Sequence, residues 1–213
     1  MEANHQEGQV RVLVACEFSG VVRDAFREQG HDAWSCDLLP TESLGRHIQG
    51  DALNAITDLG PWDLLIAHPP CTYLSISGAR WCVGDTPKAE ARREKREDAV
   101  AFFRAMLDAP IPRIAVENPV SIISRRIRKP DQTFHPYHFG EPSAKRTCLW
   151  LKGLPKLTPT NIVTPEYHTS GTGRVWSKWF WDTSMIPPAQ RGHARSRTFQ
   201  GIANAMATQW GTL

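Results

Sequence analysis

The residues best suited to chemistry in this sequence stand where short apolar runs stop. Cys71 follows two prolines in His68-Pro69-Pro70-Cys71-Thr72, directly after residues 62–67 (WDLLIA). Prolines stiffen the backbone that presents the thiol, and rigid presentation past a strand end suits a nucleophile; a small buried hydrophobe is the other reading of a lone cysteine there. Glu117 and Asn118 follow residues 113–116 (RIAV) in the same way. A carboxyl group so placed can act as an acid or base, or can simply pair with Arg113, Arg125 or Arg126. Asp37 closes residues 32–36, and Glu17 follows residues 10–16 (VRVLVAC). His68 can position a water or a phosphate, or be an ordinary strand-end histidine.

These side chains converge only if the runs lie side by side. The first 140 residues alternate apolar runs with helix-like segments, the pattern of a parallel sheet covered on both faces. Gly20 opens VVRDAFREQG, whose Val21, Val22, Ala25 and Phe26 share one helical face and whose Gly30 suits a C-cap. Thr86 and Pro87 mark a helix start, and that helix is expected to run to about residue 109. Its first half, KAEARREKRED, mixes five positive with four negative charges and reads as a solvated face. Its second half turns Ala99, Phe102, Phe103, Met106 and Leu107 toward the sheet. Residues 148–151 (CLWL) read as a last apolar strand, and residues 196–210 as a closing helical segment docked through Ile202, Met206 and Trp210. In open α/β sheets ligands sit outside the carboxyl ends of the strands, so Glu17, Asp37 and Glu117 point to one crevice.

With 213 residues, 41% hydrophobic and 22% charged, the composition excludes a disordered tail, a collagenous repeat and a coiled coil. No run approaches the roughly 20 apolar residues of a membrane-spanning helix, and MEANHQEGQ is too polar for a secretory signal, so no membrane partner and cytoplasmic residence are expected. Cysteines at 16, 36, 71, 82 and 148 form no CxxC pair, which argues against a disulfide framework and a structural zinc; no metal is expected. The charge of +3 is unevenly distributed: residues 142–213 hold nine Lys and Arg against two acidic residues. They also carry Trp150, Trp176, Trp179, Phe180, Trp181, Phe199 and Trp210. Basic residues interleaved with aromatics suit phosphates and unstacked bases, or form a solvated basic face over an aromatic core.

The Pro69-Pro70-Cys71 step resembles the nucleophile motif of the DNA cytosine-C5 methyltransferases, normally Pro-Cys-Gln, and further motifs follow in the family order. Ala15-Cys16-Glu17-Phe18-Ser19-Gly20 resembles the turn that cradles the methionine part of S-adenosyl-L-methionine, with one glycine where several are usual, and Glu17, Phe18, Ser19 and Gly20 would meet the cofactor. Asp37 stands where the family binds the cofactor ribose, with Leu38 beside the adenine, Asp51 toward the adenine amino group and Pro69 at the cofactor. Glu117-Asn118-Pro119 resembles the family's Glu-Asn-Val, with Asn118 and Pro70 on the substrate side. Residues 140–150 resemble the eighth motif, without its Gln and one Arg; Lys145 or Arg146 would contact the cytosine carbonyl or a flanking phosphate. Residues 201–206 resemble the closing Gly-Asn-Ala-Val motif, where Asn204 would return to the cofactor.

The resemblance implies a compact, phage-type member in a host cytoplasm, with a Rossmann-like α/β methyltransferase fold and a mostly parallel sheet. It implies catalytic roles for Cys71, Glu117 and Arg146 and a DNA cytosine lifted out of the stack. Residues 1–151 would form the catalytic and cofactor domain, and 192–213 a helix returning to it. Only 152–191 remain to hold the target, with Lys145, Arg174, Trp176 and Lys178 on the substrate side. So short a segment keeps open the same Cys/Glu chemistry on RNA or a free cytosine nucleotide. It also leaves open a catalytically silent module that binds nucleic acid or a host protein.

Overall fold

Val12, Leu13, Val14 and Ala15 are apolar without a break, and a strand can carry such a run only where both its faces are covered. In the computed structural model, which describes residues 8–212, they are fully buried in the central strand β1 (Arg11–Ala15). The first seven residues, part of the polar segment read above as no secretory signal, lie outside the described residues. From β1 the chain runs through α1 (Val21–Glu28), β2 (Asp32–Asp37), β3 (His47–Gln49), α2 (Ala52–Asp58), β4 (Leu64–Ala67), α3 (Pro87–Leu107), β5 (Arg113–Pro119) and α4 (Ile123–Arg126). It continues through β6 (Gln132–Phe134), β7 (Thr147–Lys152), β8 (Tyr167–Thr169), β9 (Val175–Ser177), α5 (Lys178–Met185), α6 (Pro188–Ser196) and α7 (Gln200–Trp210).

Among the described residues the strands form a seven-stranded sheet, ordered β3-β2-β1-β4-β5-β7-β6, and a separate β8-β9 hairpin. The sheet is parallel from β3 to β5, and β7 is antiparallel to both of its neighbours. This is a Rossmann-like, doubly wound α/β architecture whose strand order turns about β1 and β4, and such a turning point opens a crevice outside the strand ends. One core layer packs Phe103, Met106 and Trp150 on one face; the other packs Phe26, Met206 and Trp210 between α1, α7 and the sheet. The spacing of Ile202, Met206 and Trp210 does put all three side chains in that core. Trp210 is fully buried and donates its indole N–H to the Pro155 carbonyl at 3.0 Å, and burying so large a ring stabilises by about 2–3 kcal/mol.

Several boundaries differ from the sequence reading. The strand expected to stop before Glu117 continues to Pro119, because β7 pairs along it as far as Pro119 opposite Thr147. The run CLWL lies in β7, and two short strands with no apolar run, the β8-β9 hairpin, follow it. In the closing segment read as 196–210, Ser196 ends α6 and the helix proper starts only at Gln200. Helix α3 begins as expected, with Thr86 Oγ1 accepting the Ala89 N–H at 3.2 Å, and ends at Leu107. Its charged half is more than a solvated face. Arg92 donates to the Thr72 carbonyl at 3.0 Å, Arg93 to Gly84 at 2.7 Å and Arg96 to Tyr73 at 3.3 Å, so these arginines tie down the loop that follows Cys71. Among the described residues no helix is long and apolar enough to cross a membrane.

Candidate active site

The end of β4 is fixed from three sides. The His68 N–H donates to the Ala15 carbonyl at 2.9 Å, and the Asn118 amide donates to the Pro69 carbonyl at 2.8 Å. Past the prolines, the Cys71 carbonyl accepts the N–H groups of Leu74 and Ser75 at 3.1 and 2.9 Å, which closes a turn around the thiol. Cys71 is exposed, which sets aside the buried-hydrophobe reading. Desolvation and the negative charge of Glu117 raise its pKa, and Lys145 opposes them. Asn118, placed on the substrate side by the sequence reading, is buried and serves instead as the clamp on the peptide that presents Cys71.

Glu117 is paired with none of the three arginines considered above. Arg126 pairs with Glu97, while the Glu117 Oε2 accepts from His68 Nδ1 at 3.2 Å. Burial pushes the Glu117 carboxyl up, but the His68 hydrogen bond and the Lys145 charge outweigh it and hold the group below its ordinary range. Lys145 donates to the Arg195 carbonyl at 3.3 Å, with its ammonium 5.1 Å from the Trp179 ring and 5.7 Å from Phe199. Its charge reaches both Cys71 and Glu117, whereas Arg146 is exposed and its charge reaches His135 and Cys148 instead. The two residues are adjacent in the chain, and the structure assigns the inward position to the lysine. His68, Glu117 and Lys145 line a small hollow closed by Phe199, Ile202 and Met206.

A second hollow, of about 150 Å³, opens on the other side of the prolines. Asp37, Leu38, Asp51 and Pro70 line it, together with Cys16 and Phe102, which the sequence reading did not assign to a site. Asp37 Oδ1 accepts the Leu39 N–H at 2.9 Å, and Asp51 Oδ1 caps α2 by accepting from Leu53 at 2.7 Å. Leu38 is 74% exposed at the rim. Phe102 was read as core; it is only partly buried against the core and also walls the hollow, a division that helical spacing alone does not reveal. Cys16 takes φ 58°, unusual for a residue with a side chain, and burial followed by the Asp37 charge pushes its thiol pKa far up.

The turn after β1 is largely occupied with itself. Glu17 is buried, and its two oxygens accept the Val22 and Arg23 N–H groups at 2.7 and 3.2 Å, which caps α1 with its own carboxylate. Burial raises the Glu17 pKa, against the His68 charge and those two N–H groups. Ser19 is buried beside Glu17. Gly20 adopts φ +76°, and a Cβ there would lie 2.2 Å from Ser43 Oγ. Phe18 stacks on His193 with ring centroids 4.3 Å apart, and Glu42 pairs with both His193 and Arg197, so residues 193–197 cross this turn as a strap. Asn204 lies apart, exposed on α7 with its carbonyl accepting from Gln200 at 2.8 Å, and it lines neither hollow.

The aromatic segment forms an outer platform. Trp176 stacks on Phe180 at 5.4 Å, His168 on Trp181 at 3.9 Å, and the Arg174 guanidinium lies 5.8 Å from the Trp176 ring. Lys178 pairs with Asp182 at 2.6 Å. Trp179 joins this platform to the inner site through Lys145 and Phe199. Among the described residues no cluster of His, Cys, Asp and Glu could hold a metal ion.

No family model matches the chain, and no curated protein matches it. Among solved structures it is similar to a crystal structure titled as a candidate DNA modification methyltransferase encoded within a prophage (E. coli), at 13% identity and a TM-score of 0.45. The match covers 73% of this chain and 52% of that one, so this chain spans about half the length of the structure it matches.

Proposed function

We propose that this chain is an S-adenosyl-L-methionine-dependent methyltransferase that acts at C5 of a cytosine in DNA through a covalent bond from Cys71. The observation that supports this most directly is the meeting of Cys71, Glu117, His68 and Lys145 at the end of β4, beside a hollow walled by two carboxylates. That hollow fits the adenosine half of the cofactor by its chemistry. Asp37 and Asp51 offer acceptors to ribose hydroxyls and an amino group, and Leu38, Pro70 and Phe102 offer apolar faces to a purine. When bound, the cofactor supplies a methyl group on a sulfonium.

Cytosine C5 is a poor nucleophile until sulfur adds at C6. Addition moves electron density onto N3 and the exocyclic carbonyl, where Glu117 can hydrogen-bond the first and Lys145 can face the second. Arg146, exposed beside Lys145, contacts a flanking phosphate. A base reaches Cys71 only after leaving its stack, and the platform of Arg174, Trp176 and Lys178 holds the neighbouring strand. The segment 152–191 therefore grips more than it reads.

The test is a substrate panel. Protein is incubated with labelled S-adenosyl-L-methionine and duplex DNA, single-stranded DNA, RNA or dCMP, and label is expected at C5 of cytosine in duplex DNA. The small hairpin supports a second reading, the same chemistry on RNA or a free cytosine nucleotide, which label on those substrates alone would establish. No label anywhere, with no calorimetric cofactor binding, would sink both and leave a binding module.

A further inference from the structure

In the proposed reaction Glu117 gives a proton to N3, yet its surroundings hold it as a carboxylate. The charged and titratable groups facing the Glu117–His68 pair are Glu17 from the end of β1, Cys71, Lys145 from the stretch before β7, Cys148 on β7, whose thiol contacts Thr133 Oγ1 at 3.6 Å, and Arg197 from the link between α6 and α7. Each has another engagement. Glu17 caps α1, Lys145 donates to a carbonyl, Arg197 pairs with Glu42, and Cys71 is the nucleophile. Among the described residues His68 alone makes a hydrogen bond to the Glu117 carboxylate. Its side chain is 8% exposed, its Nδ1 lies 3.2 Å from Oε2, and its Nε2 is buried with no partner among the described residues. A buried ring nitrogen without a partner is costly enough to call for a reason.

We propose that His68 is the positioning residue of this site: its Nδ1–H holds Oε2 so that Oε1 faces the base and carries the proton that N3 takes. The inference rests on the C5 chemistry above. In the reactive form Nδ1–H donates to Oε2 while Oε1 carries a proton taken up from solvent before the base enters. As Cys71 sulfur bonds to C6, the C5=C6 pair moves to C4=C5 and the C4=N3 pair becomes a lone pair on N3. That nitrogen takes the proton from Oε1. The carboxylate left behind is held by the Nδ1–H and by Lys145, and elimination of sulfur returns the proton to Oε1.

Addition at C6 lets C5 exchange its hydrogen with water, so release of tritium from 5-tritiated cytosine in duplex DNA reads this step with no cofactor present. His68→Leu should lower release on the order of 100-fold. His68→Asn, which keeps an N–H near the Nδ1 position, should recover part of that, and the basic limb of the His68→Leu pH–rate profile should move to higher pH because the hydrogen bond that lowers the Glu117 pKa is gone. An unmoved limb in His68→Leu, wild-type release from His68→Leu, or no recovery in a folded His68→Asn would overturn the role of His68. Should either variant lack a cooperative melt, the ¹⁵N shift of His68 in the wild-type protein decides. A protonated Nδ1 at neutral pH is expected, and a bare Nδ1 overturns the proposal. Wild-type protein that neither releases tritium nor transfers methyl to any substrate overturns the C5 reading itself, an outcome separate from an unmoved limb.

Discussion

The end of β4 and the hairpin platform are built in opposite ways. At the strand end, backbone and buried side chains fix each group, with Asn118 gripping the Pro69 carbonyl and His68 gripping Glu117. On the platform, rings hold rings and cations lie over them, at the surface and in short elements with few ties to the sheet. Bond-making needs atoms held within a fraction of an ångström, whereas holding a strand of variable sequence needs only adaptable faces. Changes at the strand end should therefore alter rate, and changes on the platform should alter affinity.

The strongest way to break this division is Cys71→Ala. Label transfer and adduct formation with 5-fluorocytosine should fall to background, while the thermal midpoint stays put because the residue is exposed. An adduct that persists in this variant would remove Cys71 from the reaction. Glu117→Gln should cost about 3–4 kcal/mol of barrier, roughly 10²–10³ in rate, with nucleic-acid affinity unchanged in a binding titration. The same variant sharpens the electrostatics. The lowered folded-state pKa of Glu117 means stability that is present above the ordinary carboxylate value and lost as pH falls through the folded value. Melting curves from neutral pH downward should therefore fall less steeply in Glu117→Gln than in wild type.

Gly20→Ala should be next in size. The new Cβ meets Ser43 Oγ and the fully buried Arg23 guanidinium, and the positive φ adds strain, so about 2–3 kcal/mol of stability should go. For a chain of this length that is about 2–4 °C of midpoint per kcal/mol by calorimetry. The smallest effect belongs to the platform. Trp176→Ala should weaken strand binding by about 1 kcal/mol, roughly five- to tenfold, and leave turnover at saturation and the melting temperature alone. A loss of turnover at saturating DNA would instead join the platform to the rigid end of the molecule.

The parts of the fold legible in the sequence are those where a single run carries its own signal. Continuous apolar stretches locate β1, β4 and β5, and Thr86-Pro87 locates the start of α3. The three-residue strands β3, β6, β8 and β9 are not legible, because partners and not propensity make them strands. The site follows the same division. An acidic residue after a strand is visible, but the sequence does not say whether its oxygens meet a ligand or a helix end, and Glu17 meets a helix end. Lys145 and Arg146 are indistinguishable as letters and are separated only by which side chain turns inward. His68 and Glu117 stand 49 positions apart, and only the parallel pairing of β4 with β5 makes them neighbours.

That β7 lies between β5 and β6 also bears on how the chain is made. During synthesis residues 132–134 emerge before 147–152, yet β6 sits at the sheet edge with β7 as its neighbour, so it has no ladder to join until β7 has been built. Val22 and Phe26 on α1 likewise wait for residues 200–210 to cover them. A nascent chain paused before then would offer an open strand edge at β5 and an uncovered apolar helix, the two surfaces that holding chaperones recognise and that aggregation exploits.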